Sequence, residues 1–205
     1  METLAQNNVA DLAPANVDFP SVGERQRLAE RLRRAKHSFV TRRVELGACY
    51  GLARKLAPES GDLVLATVTE LGHHSRLENI AGRRSQLYVG DEIVVAYGAR
   101  YAPDQFDAVV PAALEPFHLA AGGGIAARVQ ARDSRTGKPT EITPIGLLAD
   151  AKGQPLNLRQ FALKPTPERR PAHSVIAIVG TSMNAGKTTL AASLIRGLWL
   201  AGGRV

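Results

Sequence analysis

The hydrophobic and polar positions near the start of the chain follow a helical period. Apolar side chains recur at intervals of four, three and four residues, at Leu28, Leu32, Ala35 and Phe39. This spacing places them on one side of an α-helix, and Ser21 with Glu24 forms an S-x-x-E capping box ahead of them. We therefore predict a basic amphipathic helical segment over residues 21–57, after a flexible N-terminus at residues 1–20.

From residue 61 the pattern changes to short β-prone runs separated by Gly, Asp and Pro. Such a pattern is typical of a compact antiparallel sheet or a small barrel. The predicted strands and hairpin arms cover residues 63–69, 77–80, 85–88, 92–97, 145–149 and 154–158. The predicted loops cover residues 98–111 and 132–139. We expect residues 61–163 to form a small, mainly-β domain.

A proline-rich stretch follows, with prolines at positions 165, 167 and 171. Proline cannot donate to a strand ladder, and it restricts the backbone of the residue before it. Charged side chains occupy the positions between these prolines. We predict that residues 164–173 form a stiff polar linker between two domains.

The end of the chain favours one strand followed by one helix. The run V-I-A-I-V at residues 175–179 indicates a strand buried on both faces of a parallel sheet. Residues 188–200 are predicted as an amphipathic helix that stops at the pair Gly202-Gly203. The predicted fold class is therefore α+β: an N-terminal helix, a small mainly-β domain, and the first β-loop-α unit of an α/β domain.

Composition narrows the class of protein. The 205 residues suffice for one large or two small domains, and 44% hydrophobic with 22% charged residues is close to the globular average. Cys49 is the single cysteine, so the chain can form no internal disulfide, and a reducing compartment is expected. Residues 1–20 carry no Lys or Arg and no apolar core, unlike a secretory signal, and no apolar run is long enough to span a bilayer. We predict a cytoplasmic protein without a membrane segment.

The net charge of +7 is concentrated in one segment. Residues 24–55 carry ten basic side chains and three acidic ones, which is typical of an exposed helix face. A basic segment could also bind an anionic polymer. It offers only Phe39 and Tyr50 for base stacking and contains no nucleic-acid motif, so nucleic acid is the disfavoured partner.

The motif that carries chemistry lies between the predicted strand and helix. Residues 180–189 read G-T-S-M-N-A-G-K-T-T, one residue longer than the standard phosphate loop G-x-x-x-x-G-K-[ST] because the first glycine stands one position earlier. Gly186 lets the backbone approach a phosphate, and the following helix N-terminus favours an anion. The loop therefore resembles a variant Walker A motif. The expected nucleotide-binding residues are Gly180, Thr181, Asn184, Ala185, Gly186, Lys187, Thr188 and Thr189.

Two side chains of this loop have distinct expected roles. Lys187 is the catalytic candidate, because its ammonium group would reach the β- and γ-phosphates. Thr188 is the metal candidate, because its hydroxyl would bind Mg²⁺. The cofactor expected from the motif is Mg²⁺ with ATP, or with GTP as the second choice. A chance Lys-Thr pair in an ordinary strand-turn-helix is the structural alternative.

The sequence G-T-x-x-x-x-G-K-T at residues 180–188 resembles the loop of the dethiobiotin synthetase-like branch of P-loop NTPases, which includes the MinD and signal-recognition group. The resemblance covers residues 174–205 only, and Ser182-Met183 stands where the dethiobiotin enzymes commonly carry Asp-Thr. It implies a Mg-dependent P-loop NTPase or ATP-dependent ligase or synthetase on a parallel α/β sheet. GTP-binding accessory proteins of molybdopterin-guanine dinucleotide synthesis are a weaker comparison.

The chain ends at Val205, where the second strand of such a domain is expected. Residues 174–205 are therefore predicted to be the incomplete start of a P-loop NTPase domain. A single β-loop-α unit cannot cover its own apolar faces. We expect the sequence to be a natural fragment or a shortened chain that binds nucleotide weakly and is inactive alone.

The alternative function is a non-catalytic module centred on the β domain that binds a small molecule or a protein. One possible pocket combines Asp104, Asp107 and Glu115 with aromatic and basic neighbours, at Tyr97, Arg100 and Tyr101. A surface loop is the favoured interpretation of these residues. A homo-oligomer is left open.

Three further features are given structural interpretations. Gly122-Gly123-Gly124 is predicted as a flexible turn, because no Lys-Thr follows it. His73 and His74 are adjacent and would point to opposite faces of a strand, so they would not readily chelate one metal. Cys49 is predicted to be a small core residue, because no activating partner is visible.

Overall fold

The computed structural model describes residues 17–18, 20–54, 56–164 and 174–205. Its two α-helices are α1 (Val22–Arg34) and α2 (Lys187–Leu200). The first six strands are β1 (Val17–Asp18), β2 (Lys36–His37), β3 (Gly51–Ala53), β4 (Leu63–Glu70), β5 (Arg76–Glu78) and β6 (Arg84–Gln86). The other six are β7 (Glu92–Tyr97), β8 (Arg100–Tyr101), β9 (Phe106–Val109), β10 (Phe117–Ala121), β11 (Ile125–Arg132) and β12 (Thr140–Ala149). The expectation of a mixed, mostly-β fold is thereby confirmed.

Five of the strands form a sheet that closes on itself. Strand β12 pairs with β4, β4 with β7, β7 with β11, β11 with β10, and β10 again with β12. All of these pairs are antiparallel except β7 with β11. Strands β1, β2, β3, β8 and β9 extend this closed sheet at its edges, while β5 and β6 form a separate hairpin.

Alternation along the strands separates two apolar cores. In β4, Val64, Ala66 and Val68 belong to the core that also holds Phe117 and Leu119, whereas Leu63 and Leu65 pack with α1. Side chains of successive strand residues point to opposite faces. The period of two therefore buries both faces of β4, which explains its nearly continuous apolar sequence.

Helix α1 covers one face of the closed sheet through Leu32. Its capping box is present: the Ser21 N–H donates to Glu24 Oε2 at 2.8 Å. The prediction of helix across residues 21–57 is correct only as far as Arg34. Lys36 and His37 pair with Ile93 and Val94 of β7 instead. Strand β11 pairs with β7 only at Ala96 and Tyr97, so the backbone groups of the earlier β7 residues are available to β2.

The strand prediction is confirmed over 63–69, 92–97 and 145–149, and in part at the two arms of the β5–β6 hairpin, which end at Glu78 and Gln86. The strand predicted over 154–158 is wrong, because only isolated bridges at Pro155 and Asn157 form there. The loop prediction for residues 98–111 is wrong, because β8 and β9 pair there, with Arg100 opposite Ala108. Residues 165–173, the greater part of the expected linker, lie outside the described residues, as do residues 1–16 and 19 of the expected flexible N-terminus.

The predicted C-terminal helix is present and the strand before it is not. α2 ends where expected, since the Gly203 N–H donates to Leu198 O at 2.9 Å and Gly202 has a φ of +84°. Residues 175–179 form no strand, because no strand of the described chain lies beside them to accept their hydrogen bonds. Val179 is 86% exposed and Trp199 of α2 is 66% exposed, so the apolar sides of both segments are uncovered.

Neither α1 nor α2, the two helices of the described residues, combines the length and the apolar character needed to cross a membrane.

Candidate functional site

The 180–189 loop ends in a helix start that no side chain caps. Gly186 is the N-cap residue of α2 with a left-handed φ of +77°, and the Leu190 N–H donates to its carbonyl at 2.9 Å. Asn184, two residues earlier, has a φ of +60°. These two left-handed residues turn the chain sharply into the helix. The first N–H groups of α2, at Lys187, Thr188 and Thr189, are left without a side-chain cap.

Lys187 folds back across the loop that precedes it. Its Nζ donates to the carbonyl of Ser182 at 2.5 Å. A Cβ placed on Gly180 would lie 2.9 Å from Lys187 Cγ and 3.2 Å from Ala185 Cβ. Gly180 therefore makes room for the lysine stem, and the structure brings together three of the residues selected from the sequence.

The other selected residues do not converge on Lys187. The Thr181, Thr188 and Thr189 side chains are exposed and make no hydrogen bond within the described residues. Asn184 donates from Nδ2 to Asp104 Oδ2 in the turn between β8 and β9. That contact was not expected from the sequence, and it joins the loop to the sheet region.

A second candidate site is a cavity of about 420 Å³ beside the closed sheet, here called the arginine cavity. The β4–β5 connection, the β5–β6 hairpin, the β8–β9 segment and the β10–β11 turn surround it. Its lining residues are His73, His74, Ser75, Arg76, Glu78, Arg84, Arg100, Gln105, Gly122 and Gly123.

Arg100 is the most enclosed cation of the arginine cavity. Its guanidinium donates to Ala120 O and, at 2.6 Å, to Gln105 Oε1. Burial lowers the pKa of Arg100. No carboxylate lies within 4.0 Å of Arg76, Arg84 or Arg100 in the described part of the chain, so three positive charges border the cavity without an ion pair.

His74 contributes a neutral ring to the arginine cavity. Burial, together with the nearby charges of His73 and Arg100, lowers its pKa to about 4. Nε2 lies 3.0 Å from Ala120 O and 3.3 Å from Arg100 Nη1. His73 and His74 line the same cavity, with ring centroids 4.9 Å apart. The expectation of opposite faces is wrong because the two residues lie in the irregular connection between β4 and β5 rather than in a strand.

The triple glycine forms the β10–β11 turn, as predicted, but the expected flexibility is not found, because its three carbonyls accept hydrogen bonds from three other segments. Gly122 O accepts from the Glu78 N–H at 2.7 Å, Gly123 O from Val40 N–H at 3.1 Å and Gly124 O from Ala96 N–H at 3.0 Å. The turn is thus a fixed junction of the fold. Gly122 and Gly123 both line the cavity, and their N–H groups have no partner among the residues that the structure describes.

The pocket considered from the sequence is largely wrong. Arg100 lines the cavity, but Tyr97 is buried inside the closed sheet and Tyr101 is 67% exposed. Glu115 pairs with Arg128 instead. No local pattern distinguishes Arg76, Arg84 or Gln105 from other surface residues. The triple glycine and the His73-His74 pair, both selected from the sequence, do line the cavity.

Cys49 agrees with its structural interpretation. It is partly buried and packs beside the core under α1, and burial raises the pKa of its thiol. A thiol that resists ionisation is a poor nucleophile.

Similarity to known proteins adds nothing to this geometry. No protein-family model, no curated protein and no solved structure matches the chain. The assignment of a function therefore depends on the residues of the 180–189 loop and of the arginine cavity.

Proposed function

We propose that residues 180–189 bind the phosphates of a nucleoside triphosphate, with ATP preferred to GTP, as part of a Mg-dependent P-loop NTPase or an ATP-dependent ligase or synthetase. The observation that carries this proposal is the position of Lys187. It opens a helix whose first N–H groups are uncapped, and its side chain lies over the loop that leads into that helix. Such a helix start attracts anions through its N–H groups and its dipole.

Different residues of the loop contact different parts of the triphosphate. The ammonium group of Lys187 neutralises charge on the β- and γ-phosphates once it leaves the Ser182 carbonyl. The N–H groups of residues 184–189 donate to phosphate oxygens. Gly180 keeps the space that the lysine stem requires. These are positioning and electrostatic roles, which phosphoryl transfer requires more than covalent catalysis.

Thr188 fits a role as a magnesium ligand. Its hydroxyl is exposed and has no hydrogen-bond partner within the described residues, and Mg²⁺ prefers oxygen ligands and keeps several waters. When bound, the ion neutralises negative charge shared between the β- and γ-phosphates.

Isothermal titration of the intact full-length protein with Mg-ATP and with Mg-GTP tests the proposal. Lys187→Ala removes one charged hydrogen bond, worth about 1.5–3 kcal/mol, and should weaken binding by roughly tenfold to a hundredfold. Lys152→Ala is the matched control, because Lys152 is an exposed lysine in the turn after β12. Gly186→Val should weaken binding too, since Gly186 adopts a φ of +77° that a branched side chain disfavours.

Unchanged nucleotide affinity and unchanged melting temperature in both Lys187→Ala and Gly186→Val would overturn the proposal. The loop would then be an ordinary turn. Equal losses in Lys187→Ala and Lys152→Ala would also contradict it, because the effect would follow net charge rather than position.

A second candidate function is a ligand-binding module centred on the closed sheet. The observation that favours it is the arginine cavity, which lies within the size range of small-molecule sites.

A further inference from the structure

We propose that the arginine cavity binds a small organic oxyanion, whose carboxylate or phosphate group is held by Arg76, Arg84 and Arg100 and by the N–H groups of the Gly122-Gly123 turn. This inference deepens the second candidate function and rests on it. It is independent of nucleotide binding by residues 180–189.

The side chains that line the cavity carry a net positive charge, which favours the binding of an anion. Three arginines line it against one carboxylate, that of Glu78, and none of the three has an ion-pair partner within the described residues. His74 is neutral near pH 7 because its pKa is about 4. The three guanidinium groups therefore leave positive charge that the cavity itself does not neutralise.

Partial burial distinguishes Arg100 from the unpaired arginines of the surface. Arg76 and Arg84 are exposed, whereas Arg100 is only partly accessible, and burial shifts its pKa downward. A buried charge without a counter-ion is unfavourable. An anion in the cavity would remove this penalty.

The hydrogen bonds of Arg100 also orient its guanidinium group for contact with an oxyanion. Ala120 O and Gln105 Oε1 each accept a hydrogen bond from its guanidinium, which fixes the plane of the group. A guanidinium carries five N–H donors, so donors remain for a ligand. A planar, oriented fork of this kind matches a carboxylate or a phosphate in a bidentate contact.

The glycine turn supplies neutral donors to the same space. Its three carbonyls are bonded to Glu78, Val40 and Ala96, so the turn is held in place. Successive backbone N–H groups in a fixed turn can form a concave anion site. Gly122 and Gly123 line the cavity together with the arginines, and their two N–H groups have no partner among the described residues.

The experiment is a titration of the ¹⁵N-labelled full-length chain with succinate and, separately, with inorganic phosphate, at constant ionic strength. Amide resonances of Gly122 and Gly123 should shift in a saturable way with at least one of the two ions. A response to succinate alone identifies a carboxylate site, and a response to phosphate alone identifies a phosphate site. Either response supports the proposal.

Variants separate specific binding from general charge. Arg84→Ala should weaken binding by about tenfold to a hundredfold, the loss of one charged hydrogen bond. Arg33→Ala, an exposed arginine of α1 far along the chain from the cavity residues, is the matched control and should leave binding unchanged. Both substituted positions are exposed, so neither variant removes a buried side chain.

Three results would overturn the proposal. One is the absence of any saturable shift at Gly122 and Gly123 with either ion. Another is an equal loss of affinity in Arg84→Ala and Arg33→Ala. The third is a response to phosphate confined to the amides of residues 186–189. It would support phosphate binding by the 180–189 loop and would show no anion binding in the arginine cavity. The amides that respond thus tell the two proposals apart.

Discussion

Gly124 lies against Ser38 so closely that a Cβ placed on it would be 2.1 Å from Ser38 Cβ. Gly124 also has a φ of +105°, a conformation that other residues rarely adopt. Ser38 is fully buried, and its N–H donates to Val94 O at 3.1 Å. The contact therefore brings the chain after β2, strand β7 and the β10–β11 turn together at one point.

Gly124→Ala should lower the free energy of unfolding more than Gly90→Ala does. Gly90 has a similar φ of +91°, but nothing lies within 4 Å of a Cβ placed there. The conformational cost of about 1–2 kcal/mol is common to both variants, and crowding against Ser38 adds about 1–3 kcal/mol. Urea denaturation of the two variants measures the difference. Equal losses would mean that Ser38 moves aside freely.

Tyr97→Phe should leave the protein as stable as before or raise its free energy of unfolding by up to about 1 kcal/mol. The Tyr97 hydroxyl is buried without a hydrogen-bond partner among the described residues, while its ring packs 4.9 Å from that of Phe117. Tyr97→Ala is the comparison and should cost about 3–5 kcal/mol. A large loss in Tyr97→Phe, measured by thermal denaturation, would show that the hydroxyl has an ordered partner.

His74 should make stability depend on pH between about 6.5 and 4. Its pKa is 6.5 when unperturbed and about 4 in the folded protein, because burial disfavours the charged ring. In this window the unfolded chain binds more protons, so stability is complete above pH 6.5 and falls as the pH drops towards 4. His74→Gln should have a smaller slope of unfolding free energy against pH. An unchanged slope would contradict the shift.

Arg31 of α1 contacts Glu92 of β7 through a two-pronged ion pair. Arg31 Nε lies 2.8 and 2.7 Å from the two carboxylate oxygens, and its Nη2 lies 2.5 Å from Oε1. A double-mutant cycle with Arg31→Ala and Glu92→Gln should give a coupling of about 0.2–1 kcal/mol that shrinks at high salt. The pair Arg34 and Glu30, within one helix and more exposed, should give less. The reverse order would show that the fixed geometry adds nothing.

Short apolar runs bounded by turn residues made the central strands predictable. Both faces of β4 and β7 meet apolar partners, so their sequences are continuous apolar runs bounded by turns. Residues 100–101 and 106–109 were missed because these strands are only two and four residues long. What makes them strands is pairing with each other and with β11, which a local pattern does not encode.

At the end of the chain, too, local sequence patterns predict the helix but not the pairing of a strand. The helix of α2 was predictable because its N-terminal turn and its glycine stop are local signals. The strand expected at 175–179 requires neighbours in a sheet, and the described residues provide none. The arginine cavity was missed for a related reason: its arginines lie in β5, β6 and β8. The β5–β6 hairpin and β8 meet only in the folded chain.

Because the sheet is closed, its strands can pair only in a certain order while the chain is being synthesised. The seam between β4 and β12 joins Thr67 to Thr143, and the whole of residues 71–139 lies between the two strands. As the ribosome releases the chain from its N-terminus, β4 and β7 can pair early, but one side of β4 stays open until β12 has emerged. An open strand edge recruits other chains. Nascent polypeptides of this protein that stall before residue 149 should therefore be the species most dependent on chaperones.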